Sequence, residues 1–157
     1  MLSILLAFGV RSLLVALFLP FSALDKVLNF RQAIDQAMQA IPNRLLATAL
    51  IVCGFGVEVM MSLAILTGVA DRLAALILAG YCIATAVLWK QFWSLPDFRL
   101  KGESNGRDVF WDFLKNFALA GGFLLLAFGA DAEGVSRFAS NPLASSHPYA
   151  VEEQRNP

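Results

Sequence analysis

Two ionisable side chains sit inside segments too apolar to carry them without a partner. Arg11 interrupts the run that opens at Leu2, and Glu58 is the one charge between Leu45 and Val69. A lone charge at mid-membrane costs at least about 2.5–3.5 kcal/mol. Lys26 marks the exit of the first run and Arg44 the entry of the second. At about 1.5 Å per residue, Arg11 and Glu58 each lie roughly 21–22 Å from the face those two share. The spacing therefore predicts an intramembrane Arg11–Glu58 ion pair. Gly54 and Ser62, one turn either side of Glu58, would let a neighbouring helix come close. Such a pair either fixes packing or serves as a proton or ligand site.

A second polar group gathers where three apolar runs meet the membrane surface: Lys26, Trp93, Trp111, Asp112, Lys115 and Asn116. On a helix, Asp112 reaches both Lys115 and Asn116, and an acid near a helix N-terminus complements the dipole. The bland reading is a set of interfacial anchors with snorkelling lysines. The chemical reading is a quinone mouth. A quinone needs an apolar slot and a few donors. Lys115 and Asn116 would donate to its carbonyls, and Asp112 would hold Lys115 and relay a proton. The sequence offers no metal centre: the single histidine is His147, near the C-terminus, and Cys53 and Cys82 are isolated in apolar runs as small core residues. No dinucleotide-binding glycine fingerprint is present.

The elements that would position these groups follow from composition. Of 157 residues 58% are hydrophobic and 15% charged, where a soluble domain carries about 25% charged residues. Charge balance is even, with 12 basic and 12 acidic side chains, so nothing points to nucleic acid. The fold class read from this is an all-α membrane protein, a four-transmembrane-helix bundle with a short amphipathic helix in the first loop. Its domain covers residues 1–130, with spans at about 2–24, 45–69, 73–92 and 109–130; residues 131–157 read as a polar, partly disordered tail. The amphipathic helix falls in "RQAIDQAMQAIPNR" (31–44), lying on the membrane surface or capping the bundle, and "ADR" (70–72) is a tight reversal that makes its flanking helices antiparallel. A cleavable leader ending near "FSA" (21–23) is the rival for the first run, but there is no basic n-region and Arg11 sits in the would-be apolar core.

Four blocks carry a resemblance: "FLPFSALDKVLNF" (18–30), "GVEVMMSLAILTGVADRLAA" (56–75), "FW" (92–93) and "FLKNFALAGGFLLL" (113–126). In this order and spacing, over roughly 8–138, the chain resembles the DoxX family of small four-helix membrane proteins. The family pattern falls on Arg11, Lys26, Glu58, Arg72, Phe92, Lys115, Asn116, Gly121 and Gly122, and "SRF" (136–138) is similar to its short C-terminal motif. Lys90 and Gln91 stand where members often carry a histidine. The resemblance implies a component of a membrane oxidoreductase. One related subunit belongs to a thiosulfate:quinone oxidoreductase, and another is proposed to link membrane and soluble redox-defence enzymes.

The expected function is an accessory or quinone-facing subunit of a membrane redox complex, without its own haem, flavin or metal. Its partners are the bilayer and other subunits, and quinone is its one candidate cofactor. Two alternatives stand beside it: a non-enzymatic assembly subunit filling a lipid-facing groove, and a small-molecule or proton carrier using Arg11 and Glu58. The expected location is a bacterial-type inner membrane, multi-pass. Resemblance puts the termini in the cytoplasm. The Lys/Arg excess in loops 1 and 3 (Lys26, Arg31, Arg44, Lys90, Arg99, Lys101 and Arg107) points the other way.

Overall fold

The structure, a computed structural model, describes residues 1–150. Every regular element among the described residues is helical: α1 (Leu2–Val15), a π-type turn (Leu17–Ser22), α2 (Ala23–Leu28), α3 (Phe30–Ala40), α4 (Arg44–Thr67), α5 (Asp71–Trp89), a 3-10 turn (Phe92–Ser94), α6 (Asn105–Phe128) and α7 (Ala132–Ser140). Four segments are long and apolar enough to cross a membrane: Leu2–Leu28, Arg44–Thr67, Asp71–Ser94 and Asn105–Phe128.

Helix ends obey local chemistry. The Asn43 side chain accepts from the Leu46 N–H at 3.1 Å and starts α4; Ser104 accepts from the Arg107 N–H at 3.2 Å and starts α6. Gly68, at φ +80°, ends α4 in a left-handed cap and begins the reversal into α5. The first span is broken at Leu19, whose φ of −124° and ψ of 111° are extended. Proline lacks the N–H a helix needs and crowds the preceding residue out of the helical region, and Pro20 follows directly.

The spans close into a ring, α1 against α4, α4 against α5, α5 against α6, and α6 against α1, with α5–α6 the most extensive contact. The inner face of α5 explains that closeness. Ala75, Ala79, Cys82 and Ala86 are fully buried or nearly so, and small residues spaced along one face let backbones approach. Val15, Phe18, Ile65, Leu78, Ala120, Phe123 and Ala127 complete the core. Cys82 lies in that core as expected, whereas Cys53 is exposed on the outward side of α4. The remaining outward faces are apolar, with Leu5, Leu13, Leu45, Met60 and Leu125 all exposed.

Two expectations change. The short helix of the first loop is present, but it packs along α4 through Ile34 and Ala37 against Ala47. It therefore continues the path of the first span back towards the start of α4. The segment after residue 130, expected as a partly disordered tail, forms α7 and then folds onto the bundle up to residue 150. Residues 151–157 of that expected tail lie outside the described residues.

Candidate functional site

Glu58 sits near the middle of α4 with 2% of its surface exposed. Its Oε1 accepts from Lys26 Nζ at 2.8 Å, Tyr81 OH at 2.8 Å and Ser22 Oγ at 3.1 Å; Oε2 accepts from Lys26 Nζ at 2.9 Å. The Lys26 ammonium spends its third donor on Ser22 Oγ at 2.7 Å. This cluster draws on α2, the π-type turn, α4 and α5. Gly54 creates its floor: a Cβ there would stand 3.1 Å from the Tyr81 hydroxyl, so a larger residue would crowd the phenol beneath Glu58. Lys26 also lines an open apolar cleft of about 200 Å³, together with Val27, Phe30, Ile51, Val52 and Phe55.

Arg11 forms a separate cluster where α4 turns into α5. Its guanidinium donates to the Ile65 carbonyl at 2.6 Å, to Asp71 Oδ2 at 2.6 Å and to Ser146 Oγ at 2.7 Å. Asp71 is fully buried and Arg11 is 5% exposed. Ser62, also fully buried, lies on α4 between Glu58 and Ile65, and its hydroxyl has no partner among the described residues.

Arg11 and Glu58 therefore do not pair with each other: Arg11 pairs with Asp71, and Glu58 with Lys26. The reason lies in α3. Lys26 and Arg44 are not level, because α3 runs about three turns along α4 between them. Lys26 is thus level with Glu58, 14 residues or about 21 Å into α4, and Arg11 lies beyond, opposite the last turn of α4. Asp71 was visible in sequence as the acid of the tight "ADR" reversal. Its partner could have been found by measuring Arg11 from the reversal end.

The expected mouth is divided. Asp112 bridges Lys90 at 3.1 Å and Lys115 at 3.2 Å. The Asn116 amide donates to the Asp112 backbone carbonyl at 3.0 Å. Lys115 is largely exposed, and Trp93 and Trp111 are about half exposed. Next to them Phe92 anchors an aromatic cluster, its ring centroid 5.0–5.4 Å from those of Trp93, Phe98, Phe110 and Phe113. Lys26 is absent from this group because α2 packs against α4 and α3. Lys90 supplies the second cation on Asp112.

Comparison with family models, curated proteins and solved structures returned no match. The DoxX resemblance accordingly rests on the residue blocks quoted above. Among the described residues no group of His, Cys, Asp and Glu is placed to hold a metal ion.

Proposed function

We propose that the chain is a DoxX-like multi-pass protein of a bacterial-type inner membrane, an accessory, quinone-facing subunit of a membrane redox complex. The observation that carries this is the cleft beside Lys26. Its walls are apolar, two of them phenylalanines, and Lys26, whose ammonium is held by the buried Glu58 carboxylate, is one of its lining residues. At about 200 Å³ it is below the usual range of roughly 300–1,000 Å³ for whole ligands. It suits a headgroup ring whose isoprenoid tail runs out along the exposed Val27 and Val52 into lipid. The replaceable partner is Ser22: its hydroxyl bonds Glu58 as well, so Lys26 can exchange Ser22 for a quinone carbonyl and keep three acceptors. Behind Lys26, the Tyr81 hydroxyl donates to the Glu58 carboxylate.

The Lys115–Asn116 mouth is less suited to this role, since Lys115 is largely exposed and the Asn116 amide is turned onto the Asp112 backbone carbonyl. In this reading it anchors α6 at the interface. A carrier built on Arg11 and Glu58 would need them in one site, and they belong to two. The assembly-subunit reading keeps one favourable observation: all three Lys26 donors are satisfied without a ligand.

The test is Val52→Trp, which fills the cleft from its exposed rim and leaves the ion pair in place. Quinone-linked electron flow through the complex should fall while the subunit still co-purifies with its partners. Unchanged flow with normal assembly would leave the assembly-subunit reading in possession. We place the termini in the cytoplasm, so a C-terminal alkaline phosphatase fusion should be inactive; an active fusion reverses the orientation.

A further inference from the structure

The segment after α7 ends as a strap across the end of the bundle. Ser146 makes three bonds to the buried pair: its N–H donates to Asp71 Oδ1 at 2.9 Å, its hydroxyl donates to Asp71 Oδ2 at 2.5 Å, and the same oxygen accepts from Arg11 at 2.7 Å. Three residues on, the Tyr149 hydroxyl donates to the Leu66 carbonyl. That carbonyl lies in the last turn of α4, where a helix leaves its acceptors unpaired. Between them Pro148 lies on Gly68. A Cβ at Gly68 would come within 3.0 Å of the proline ring, and its φ of +80° is one that glycine takes without strain. The strap is shaped by its own turns, with His147 N–H on Ser145 Oγ at 2.9 Å and Ala150 N–H on the His147 carbonyl at 3.1 Å.

These contacts share one logic. Two polar groups at the α4–α5 reversal have complements on the strap. Asp71 needs donors beyond Arg11, and Ser146 brings two; the Leu66 carbonyl needs one, and Tyr149 brings it. We propose that Arg11, Asp71, the Leu66 carbonyl and Gly68 form a peptide-binding site, occupied by the chain's own Ser145–Tyr149, and that its occupancy is reversible. Bound, the strap keeps the Arg11–Asp71 pair dry; released, it opens that pair to the surrounding solvent while the four spans stay folded. Reversibility follows from how the strap is held. It is fastened mainly by hydrogen bonds rather than by core packing, and a segment with few buried apolar contacts opens before the core does. The proposal does not depend on the quinone reading.

Hydrogen exchange read by mass spectrometry on the full chain in detergent tests it. Residues 144–150 should exchange more slowly than an unstructured peptide and faster than the α5–α6 core. Tyr149→Phe removes one bond and Ser146→Pro removes both Ser146 donors. Each should speed exchange of the segment, Ser146→Pro by roughly tenfold or more because its bonds are to a charged group, with α5 and α6 unchanged. A synthetic peptide covering residues 143–150, added to the Ser146→Pro protein, should slow exchange at the α4–α5 reversal again. Exchange of the segment at the unstructured rate in the unmodified chain would overturn the site. Exchange of the segment only in step with α5 and α6 would overturn its reversibility. Should Ser146→Pro fail to fold, Tyr149→Phe alone decides the second point.

Discussion

Lys26→Met is the sharpest perturbation of the interior. Among the described residues it removes the one cation on Glu58 and leaves that carboxylate, 2% exposed, with two neutral donors, Ser22 and Tyr81. Breaking a buried pair by deleting one partner costs about 3–5 kcal/mol. Glu58→Gln acts differently. It keeps an acceptor for Tyr81 and Ser22, and Lys26, whose side chain is 15% exposed, can still bond Ser22 and turn towards the cleft. Its cost should be nearer the roughly 1.5–3 kcal/mol of a bond to a charged group. The double variant Lys26→Met/Glu58→Gln buries no unpaired charge and should be more stable than Lys26→Met alone. The assay is unfolding in mixed micelles, with free energies compared at one denaturant concentration in a double-mutant cycle. The same cycle run on Arg11→Leu and Glu58→Gln should show additivity within about 0.5 kcal/mol, since Ile65, which accepts from Arg11, lies seven residues or about 10 Å along α4 from Glu58. A stronger coupling of Glu58 to Arg11 than to Lys26 would refute the two-cluster reasoning.

Three further outcomes follow from local geometry. Gly54→Val should push Tyr81 off Glu58, since its Cβ would be 3.1 Å from the hydroxyl, and cost roughly 1–3 kcal/mol by detergent thermal melting. Gly122→Val should loosen α1 from α6, because a Cβ there meets Leu14 at 2.8 Å; a lower melting temperature reads this, and Gly121→Ala, with open space at that position, is the control. Asp112→Asn should change stability by less than about 1 kcal/mol, because Lys115 and Asp112 are substantially exposed; a large loss would show the mouth to be structural.

The four spans were legible because apolar runs long enough to cross a bilayer are hard to disguise, and the "ADR" reversal fixed two of them as neighbours. The charges that need partners, Arg11 and Glu58, were legible for the same reason. Their partners were not, because pairing depends on depth, and depth depends on which direction the polar first-loop segment takes. Its amphipathic spacing fits a helix on the membrane surface as well as one along α4; the choice is made by Ile34 and Ala37 packing on Ala47, a contact between distant parts of the chain. The strap was illegible for a related reason. "SSHPY" is polar and proline-bearing, the composition of a free tail, and it is the buried Arg11–Asp71 pair that gives Ser146 something to bind.

Direct extraction tests the proposal that the cleft beside Lys26 takes a quinone headgroup. The chain is purified in mild detergent from membranes, and quinone content is quantified by chromatography for the unmodified protein, Val52→Trp and Lys115→Ala. Quinone should be present in proportion to protein for the unmodified chain and for Lys115→Ala, and lost in Val52→Trp. Quinone retained by Val52→Trp and lost in Lys115→Ala would contradict it and return the site to the mouth of α6.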